Sequence, residues 1–247
     1  MKKIIIANWK MNPQSLLEAK RIFNEIKKTA IKLSKVKTII CPPFPYISNL
    51  KSLGAQDLFY EEKGAYTGEI SAGILKDLGV KYVIIGHSER RELGETNEIV
   101  NKKIKTALKS GLKVIMCVGE KERDSEGEYL NFIKDQINEG LKGIPRKLLT
   151  NIIIAYEPVW AISSHKSTKA DNPESALRTA IFIRRMLLSI IGDQLARQVP
   201  ILYGGSVDIK NAEQFLKEGG IQGLLVGSQS LIPKNFNEIL KIADRIK

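Results

Sequence analysis

Residues 152–160 read Ile-Ile-Ile-Ala-Tyr-Glu-Pro-Val-Trp and are the most informative segment for the fold. The first four residues are apolar without polar alternation, which predicts a strand buried on both faces, as in a parallel sheet. A carboxylate, Glu157, follows this strand, and Pro158 stiffens the exit. A polar segment then leads to residues 172–173, Asn-Pro, which have the form of a helix cap followed by a first-turn proline. Together these features make one strand–helix unit.

The same unit recurs along the whole chain. Alternating strands and helices require a parallel sheet with right-handed crossovers. Eight units in 247 residues favour a closed (β/α)8 barrel, an α/β fold, and we expect one barrel domain over residues 1–247. An open doubly wound sheet is disfavoured because no glycine-rich dinucleotide fingerprint follows the first strand. Besides 152–155, the apolar runs that predict strands are 4–6, 38–41, 55–59, 82–85, 114–118, 201–203 and 223–226.

Composition limits the class of protein and its compartment. No apolar run approaches the roughly 18 residues of a membrane helix, and residues 1–6 are too short for a signal peptide. Cys41 and Cys117 lie in apolar runs without metal-ligand spacing, and the two histidines are far apart in sequence. We therefore expect a cytoplasmic protein with no metal, no cofactor, no disulfide and no membrane partner.

The net charge of +12 allows two interpretations. A strongly basic chain can bind nucleic acid. Alternatively, the charge belongs to a solvated lysine-rich surface whose positive field attracts anionic substrates. The lysines are scattered over helical segments and are not clustered with aromatic residues. This distribution favours the second interpretation, so we expect no nucleic-acid partner.

In a barrel, the chemistry gathers where the strands end. Lys10 follows the first strand between the large apolar residues Trp9 and Met11, which favours a lysine that faces an anion site over a surface charge. His87 follows the fourth strand and precedes a helix start at Ser88. The N-terminus of a helix favours a neutral imidazole, which can donate a hydrogen bond to a carbonyl oxygen. A purely structural histidine fits this position equally well.

Three further strand ends complete the candidate site. Glu157 ends an apolar strand and must be paired, protonated or functional, so it is either a general base or the partner of Lys10 or an arginine. Residues 204–206, Gly-Gly-Ser, and 227–229, Gly-Ser-Gln, follow the last two strands, where barrels bind phosphate. A base, a neutral histidine, a cation and a phosphate site suit proton abstraction beside the carbonyl of a small phosphorylated molecule.

Four motifs in this order and spacing resemble those of the triosephosphate isomerase family. They are Asn-Trp-Lys-Met-Asn at 8–12, Gly-His-Ser-Glu-Arg-Arg-Glu-Leu-Gly-Glu at 86–95, Ala-Tyr-Glu-Pro-Val-Trp-Ala at 155–161 and Tyr-Gly-Gly-Ser at 203–206. The resemblance covers essentially the whole chain. Residues 64–71, Gly-Ala-Tyr-Thr-Gly-Glu-Ile-Ser, are similar to the family's dimer-interface loop, so the resemblance implies a homodimer with Thr67 at the interface.

The resemblance also implies a reaction and the residues that perform it. The reaction is the cofactor-free interconversion of dihydroxyacetone phosphate and D-glyceraldehyde 3-phosphate, a step of glycolysis and gluconeogenesis. Glu157 would move the proton between the two carbons, and His87 would polarise the carbonyl. Lys10 would offset the negative charge of the substrate and the enediolate, and Asn8 would help to position the oxygens.

Other residues receive supporting roles from the same resemblance. Those implied in substrate binding are Ser163, Gly205, Ser206, Gly227 and Ser228. Those implied in the shell around the site are Ser88, Glu95, Cys117 and Tyr203. Those implied in a closing lid are Pro158, Trp160, Ser164, His165 and Lys166.

The sequence departs from the family pattern at the lid. Ser163 and His165 stand where the family has glycines, and the segment up to Pro173 is about three residues longer. Because glycine accepts backbone angles that other residues resist, we expect an altered balance between open and closed lid. His165 is interpreted as a solvated lid residue and not as a second base.

Two smaller departures concern single positions. Ser228 places a side chain where the family has glycine in a phosphate loop. Asp57 stands where the family has asparagine, and its negative charge is expected to weaken or reshape the dimer contacts.

Two alternative functions remain open from the sequence. One is a barrel retained as a basic binding protein that has lost isomerisation, which would account for the charge and the altered lid. The other is a different sugar-phosphate isomerase or epimerase on the same barrel. Intact Lys10, His87 and Glu157 argue against the first alternative, and the match of the motifs to a single family argues against the second.

Overall fold

The computed structural model describes residues 2–124, 126–162 and 171–246. Within these ranges eight parallel strands follow one another around a barrel, in the order β2-β1-β8-β7-β6-β5-β4-β3. This order confirms the predicted (β/α)8 barrel. The strands are β1 Lys3–Asn8, β2 Val36–Cys41, β3 Gly54–Ala55, β4 Tyr82–Ile85, β5 Lys113–Val118, β6 Ile152–Tyr156, β7 Ile201–Tyr203 and β8 Gly223–Val226.

Side chains link β2 to β3 where the sheet closes on itself. Gln56 donates from Nε2 to the carbonyl of Cys41 at 2.9 Å, and the Ser52 hydroxyl donates to the carbonyl of Ile40. A Cβ at Gly54 would lie only 2.7 Å from the Ile40 oxygen, so glycine permits this close approach. The predicted strand 55–59 is therefore wrong in its bounds, because the chain turns away from the sheet once Gln56 has made its contact.

Ten helices in the described part of the chain surround the barrel. Several begin at a side-chain cap, a contact that typically contributes about 1 kcal/mol. Asn172 accepts the amide of Ser175 at 2.9 Å, as its position before Pro173 predicts. The helices are α1 Leu16–Ala30, α2 Phe44–Leu50, α3 Ala72–Asp77, α4 Ser88–Glu92, α5 Asn97–Lys109, α6 Tyr129–Leu141, α7 Pro173–Ile191, α8 Asp193–Ala196, α9 Ala212–Glu218 and α10 Pro233–Arg245.

The strands are buried on both faces, which explains their continuous apolarity. One set of side chains fills the barrel interior, including Ile6, Ile84 and Ile153. The other set packs against the helices, for example Ile5 and Val83. Both free cysteines, Cys41 and Cys117, belong to the interior set. Because apolar packing takes up the strands, polar side chains can gather only where the strands end.

Two structural features are absent from residues 2–124, 126–162 and 171–246. No helix there has the length and apolar character needed to cross a bilayer. No group of three or more histidine, cysteine, aspartate or glutamate side chains there has an arrangement that could hold a metal ion.

Candidate active site

One cavity opens at the carboxyl ends of the strands and collects the predicted residues from both halves of the chain. Asn8 and Lys10 come from β1, His87 from β4 and Glu157 from β6. The loops after β7 and β8 complete the wall with residues 204–208 and 227–229, joined by Ile162 and Asn211.

Lys10 enters the cavity from a backbone that is unusual for lysine. Its φ of 53° lies in the left-handed region, which costs on the order of 1–3 kcal/mol and persists only where neighbours hold it. The Asn8 side chain accepts the Lys10 amide at 3.1 Å, and Gln56 donates to the Lys10 carbonyl at 2.8 Å. The ammonium lies 2.5 Å from Oε1 of Glu89. Lys10 Cε passes 3.5 Å from where a Cβ of Gly227 would stand, so the cation lies beside the loop after β8.

His87 caps α4 and is oriented by it. Nδ1 accepts the backbone N–H of Glu89 at 3.2 Å, which an imidazole can do only when that nitrogen carries no proton. The remaining proton is then on Nε2, which faces the cavity. Nε2 lies 3.2 Å from Oε1 of Glu157. This is the geometry of a neutral histidine that can donate to an oxygen in the cavity.

Glu157 is 2% exposed although it borders the cavity. Its Oε2 accepts the amide of Ser88 at 3.3 Å, and its Oε1 lies beside His87. Two glycines leave room for it. A Cβ at Gly119 would lie 1.8 Å from the Glu157 carbonyl, and one at Gly204 would lie 2.8 Å from Glu157 Cγ. The backbone around this carboxylate is thus packed tightly, while the carboxylate itself contacts the Ser88 amide and His87.

The loop after β7 combines close packing with a link to the segment after Glu157. A Cβ at Gly205 would lie 2.2 Å from the hydroxyl of Tyr203, so only glycine fits there. Ser206 donates both its amide, at 3.2 Å, and its hydroxyl, at 2.7 Å, to the carbonyl of Ala161. Asn211 donates to the Ser206 carbonyl at 3.0 Å and holds the loop in place.

The loop after β8 is a short 3₁₀ turn, Ser228–Leu231, that starts at Gly227. Ser230 donates its amide and hydroxyl back to the Gly227 carbonyl at 2.8 and 2.6 Å. The first N–H groups of such a turn have no partner within it and remain available to an anion. The Gln229 side chain accepts from Asn235 at 2.8 Å. Ser228 and Gln229 both line the cavity, so both alter its wall.

Comparison with known proteins agrees with this arrangement. The sequence model of the family described as "Triosephosphate isomerase" matches residues 3–243. The chain belongs to the triosephosphate isomerase family. It is 43% identical to the triosephosphate isomerase of Dictyoglomus turgidum over 97% of this chain and 99% of that protein. It is 46% identical to that of Dehalococcoides mccartyi, over 98% of this chain and 97% of that protein.

The residues assigned to the supporting shell of this isomerase-family site lie behind Glu157. Ser88, Glu95 and Cys117 line a second cavity, and Glu157 forms part of its wall. Burial, together with the nearby Glu157 carboxylate, raises the pKa of the Cys117 thiol well above its ordinary value. Tyr203 stacks on Phe215 with ring centroids 4.0 Å apart, and burial raises the pKa of its hydroxyl.

The chain that leaves Glu157 is held by a buried cluster around Glu120. Trp160 donates from Nε1 to Glu120 Oε1 at 2.8 Å, and the Tyr156 hydroxyl donates to the same oxygen at 2.9 Å. Arg123 lies 3.3 Å from that carboxylate oxygen, and its guanidinium stands over the Trp160 ring at 5.2 Å. Burial raises the pKa of Glu120, partly offset by these donors. Pro158 thus precedes a well-anchored turn, Val159–Ala161.

The structure leaves some predicted residues apart from the site. Ser163, Ser164, His165 and Lys166 lie outside the described residues. Thr67 lies at an exposed loop tip and does not line the cavity.

Asp57 is buried inside the chain. It pairs with Lys103, with Nζ–O distances of 2.7 Å, and with Arg90 at 3.0 Å. The negative charge that distinguishes it from the family's asparagine is therefore compensated within the chain.

Sequence reasoning missed three residues that shape the site. Glu89 pairs with Lys10, Gln56 holds the Lys10 backbone, and Arg123 joins the cluster beyond Glu157. Glu89 and Gln56 stood within or beside recognised motifs, so the motif match was the available signal. For Arg123 no sequence signal distinguished it from the other surface cations.

Proposed function

We propose that this chain interconverts dihydroxyacetone phosphate and D-glyceraldehyde 3-phosphate through an enediolate, with Glu157 as the base and His87 as the electrophile. One observation carries the assignment of roles. The proton-bearing Nε2 of His87 and the Glu157 carboxylate lie 3.2 Å apart in a cavity that also holds the Lys10 ammonium and two glycine-containing loops. Family membership supports the choice of a triose phosphate as substrate.

The lining of the cavity supports a position for each end of such a substrate. Its phosphate would lie against residues 204–206 and 227–228, where Lys10 and the first N–H groups of the turn Ser228–Leu231 supply positive charge. Its carbonyl would then face His87 Nε2. A single proton on Nε2 cannot serve both Glu157 and the substrate, so binding of the carbonyl releases Glu157 from His87.

Released Glu157 takes a proton from the hydroxyl-bearing carbon of the substrate and returns it to the former carbonyl carbon, while the proton of that hydroxyl moves to the former carbonyl oxygen. The negative charge that develops on the oxygens meets the His87 N–H and the Lys10 ammonium, and Asn8 helps to fix their positions. Donors that are already oriented lower the barrier because no reorganisation is needed. The chemistry needs no metal or cofactor, since a carboxylate and a fixed donor suffice for proton transfer.

A coupled assay in both directions tests this function. Wild type should show isomerisation, and Glu157→Gln should lose at least about 10²–10⁴-fold in kcat, the usual contribution of a general base. Glu98→Gln is the matched control, since Glu98 is an exposed helix residue that pairs with Lys102 at 2.8 Å. Absence of isomerisation in wild type would refute the proposal and revive a binding role. Unchanged activity in Glu157→Gln would refute the assignment of the base.

We also propose a homodimer that uses the loops after β1, β3 and β4. Large apolar side chains are exposed there, with Met11 at 84%, Leu93 at 79% and Tyr66 at 45%. Exposed apolar groups of this number on neighbouring loops favour a buried interface. Analytical ultracentrifugation across a dilution series tests the proposed dimer. Leu93→Asp should give a monomer, whereas Ile181→Asp on α7, where Ile181 is 46% exposed, should not.

A place in glycolysis and gluconeogenesis follows from the proposed reaction. A cytoplasmic location is part of the same proposal, supported by the two unpaired thiols in the barrel interior.

A further inference from the structure

The excess positive charge lies at the end of the barrel opposite the site. We define the N-terminal face as the segments that run from a helix into the next strand, residues 2–3, 31–37, 51–53, 78–81, 110–113, 142–151, 192–200 and 219–222. These segments carry twelve lysines and arginines but one acidic residue, Asp193. Their surplus of cations nearly equals the net charge of +12 for the whole chain.

The end that carries the site has the opposite balance. In its described segments, between each strand and the following helix, twelve acidic residues accompany five lysines and arginines. The expectation that the net charge attracts the anionic substrate stays a prediction, but the surplus cations lie at the other end of the barrel. The basic face requires another explanation.

Part of the N-terminal face is one continuous arc. At the entry to the strands, Lys3 donates its amide to Lys35 at 2.9 Å, and Lys113 donates to Lys81 at 2.9 Å. Lys81 donates to Leu53 at 2.8 Å. These bonds link the entries of β1 and β2 and, separately, those of β3, β4 and β5. Because β2 faces β3, the two groups form one arc across the entries of β1 to β5.

The ammonium groups of this arc are not neutralised. Within the described ranges, Lys32, Lys35, Lys81 and Lys113 are exposed and make no ion pair. The Lys37 ammonium stands over the Tyr82 ring, 4.9 Å from its centroid. Asp244 at the rim uses its carboxylate to accept the Lys35 backbone amide at 2.7 Å.

Exposed aliphatic side chains are interspersed among these cations. Ile31 is 72% exposed, Leu53 40% and Leu78 37%, and all three lie in segments of the N-terminal face. The aromatic Tyr82 is 4% exposed and unavailable for stacking. Ten of the twelve cations are lysines. Lysines mixed with aliphatic groups suit an anionic lipid surface, whereas nucleic acid is bound with arginine forks and stacked aromatic rings.

We propose that the N-terminal face adsorbs to bilayers rich in anionic lipid, with the active site facing away from the membrane. Unpaired lysines near such a surface each contribute on the order of fivefold in affinity, and several act together in this arc. The aliphatic groups add contact with the headgroup region. Adsorption leaves the site open to substrate because the two lie at opposite ends of the strands.

Vesicle co-sedimentation tests the proposal with two variants of equal charge. The test variant changes Lys32, Lys35, Lys81 and Lys113 to Gln. The control variant changes Lys20, Lys134, Arg185 and Lys234 to Gln, which are exposed cations on the outer helices. Both should keep wild-type isomerase activity, which also reports that they are folded. The probes are phosphatidylcholine vesicles with and without phosphatidylglycerol, and a single-stranded oligonucleotide.

We expect wild type and the control variant to bind the vesicles that contain phosphatidylglycerol and not the vesicles of phosphatidylcholine alone. The test variant should bind on the order of several hundred-fold less well, and binding should weaken as salt screens the charges. No binding to anionic vesicles by wild type would overturn the proposal, as would an equal loss in both variants. Tighter binding of the oligonucleotide than of the vesicles would also overturn it in favour of nucleic acid.

Discussion

Lys103 Nζ lies 2.7 Å from both carboxylate oxygens of Asp57, and both side chains are buried. Glu95 accepts from the same ammonium, and Arg90 completes the cluster with Asp57. Lys103→Met would leave two carboxylates buried without their shared cation. Removing one partner of a buried pair typically costs about 3–5 kcal/mol, so we expect a loss of this size in urea unfolding.

Asp57→Asn is the matched variant for this cluster. It restores the amide typical of the family and leaves Lys103 paired with Glu95, so we expect less than half the loss seen for Lys103→Met. Because the Asp57 charge is compensated inside the chain, the sedimentation of Asp57→Asn should equal that of wild type. A tighter dimer in the variant would instead support the expectation, made from the sequence, that Asp57 weakens the dimer contacts.

Glu89 positions the Lys10 ammonium through the 2.5 Å contact of Nζ with Oε1. Glu89→Gln removes the charge that orients this cation but keeps the backbone N–H that His87 accepts. We expect kcat to fall about tenfold to a hundredfold, equivalent to about 1.4–2.8 kcal/mol of transition-state stabilisation. Glu98→Gln, which breaks only an exposed pair, should leave kcat unchanged. Equal kinetics in the two variants would show that Glu89 has no positioning role.

The two interior thiols make stability depend on alkaline pH. Burial raises the pKa of Cys41 and of Cys117, so the folded state keeps their protons when the unfolded state releases them. The resulting stability is complete below the unfolded pKa of about 8.5 and is lost as pH rises above it.

A double variant isolates this effect from other titrating groups. The free energy of unfolding of wild type, measured relative to Cys41→Ala/Cys117→Ala, should fall by roughly 3 kcal/mol between about pH 8.5 and 10. The cavities left by alanine add a term that does not vary with pH. A difference that stays constant across this range would show that the thiols ionise in the folded protein.

The sequence predicted the barrel because its strands are buried on both faces and carry continuous apolar runs. Seven runs lie within or coincide with observed strands, as 82–85 does with Tyr82–Ile85. The exception is 55–59, where Gln56 bonds to Lys10 and Cys41 and leads the chain out of the sheet. That contact joins residues far apart in sequence, and no local pattern encodes it.

The candidate site likewise contains residues that the local sequence predicts and residues that it does not. Lys10, His87 and Glu157 could be proposed as site residues because each lies one or two residues beyond the end of a strand, where barrels carry their catalytic residues. Glu89 and Arg123 could not, because charged residues in helices and loops are usually solvated and their partners come from other units. The placement of charge at the two barrel ends also required the topology, since the cations look scattered along the chain.

The lid departure leads to a prediction from sequence alone. Ser163 and His165 replace glycines, and a lid that closes less completely would let the enediolate eliminate phosphate. We expect more methylglyoxal per isomerisation event in wild type than in Ser163→Gly/His165→Gly. An equal ratio in the two proteins would refute an altered lid.

Arg123 contacts side chains around Glu157 and also side chains on α7, the next helix along the chain. Its guanidinium donates to the Tyr156 hydroxyl at 2.9 Å and to Thr179 on α7 at 3.0 Å, and it also contacts Ser175. It also stands over Trp160, three residues beyond the base. Arg123→Met should therefore loosen the turn behind Glu157 and α7 together.

We expect Arg123→Met to lower kcat/KM by roughly tenfold, about 1.4 kcal/mol, and to change Trp160 fluorescence through loss of the cation above the ring. Arg123→Lys should recover little, because an ammonium cannot reproduce the planar fork that reaches Tyr156 and Thr179 at once. Arg178→Met is the control, since Arg178 is exposed on α7 and pairs with Glu174 at 2.6 Å. If Arg123→Met matched this control in both kinetics and fluorescence, the cluster would stabilise the fold without positioning Glu157.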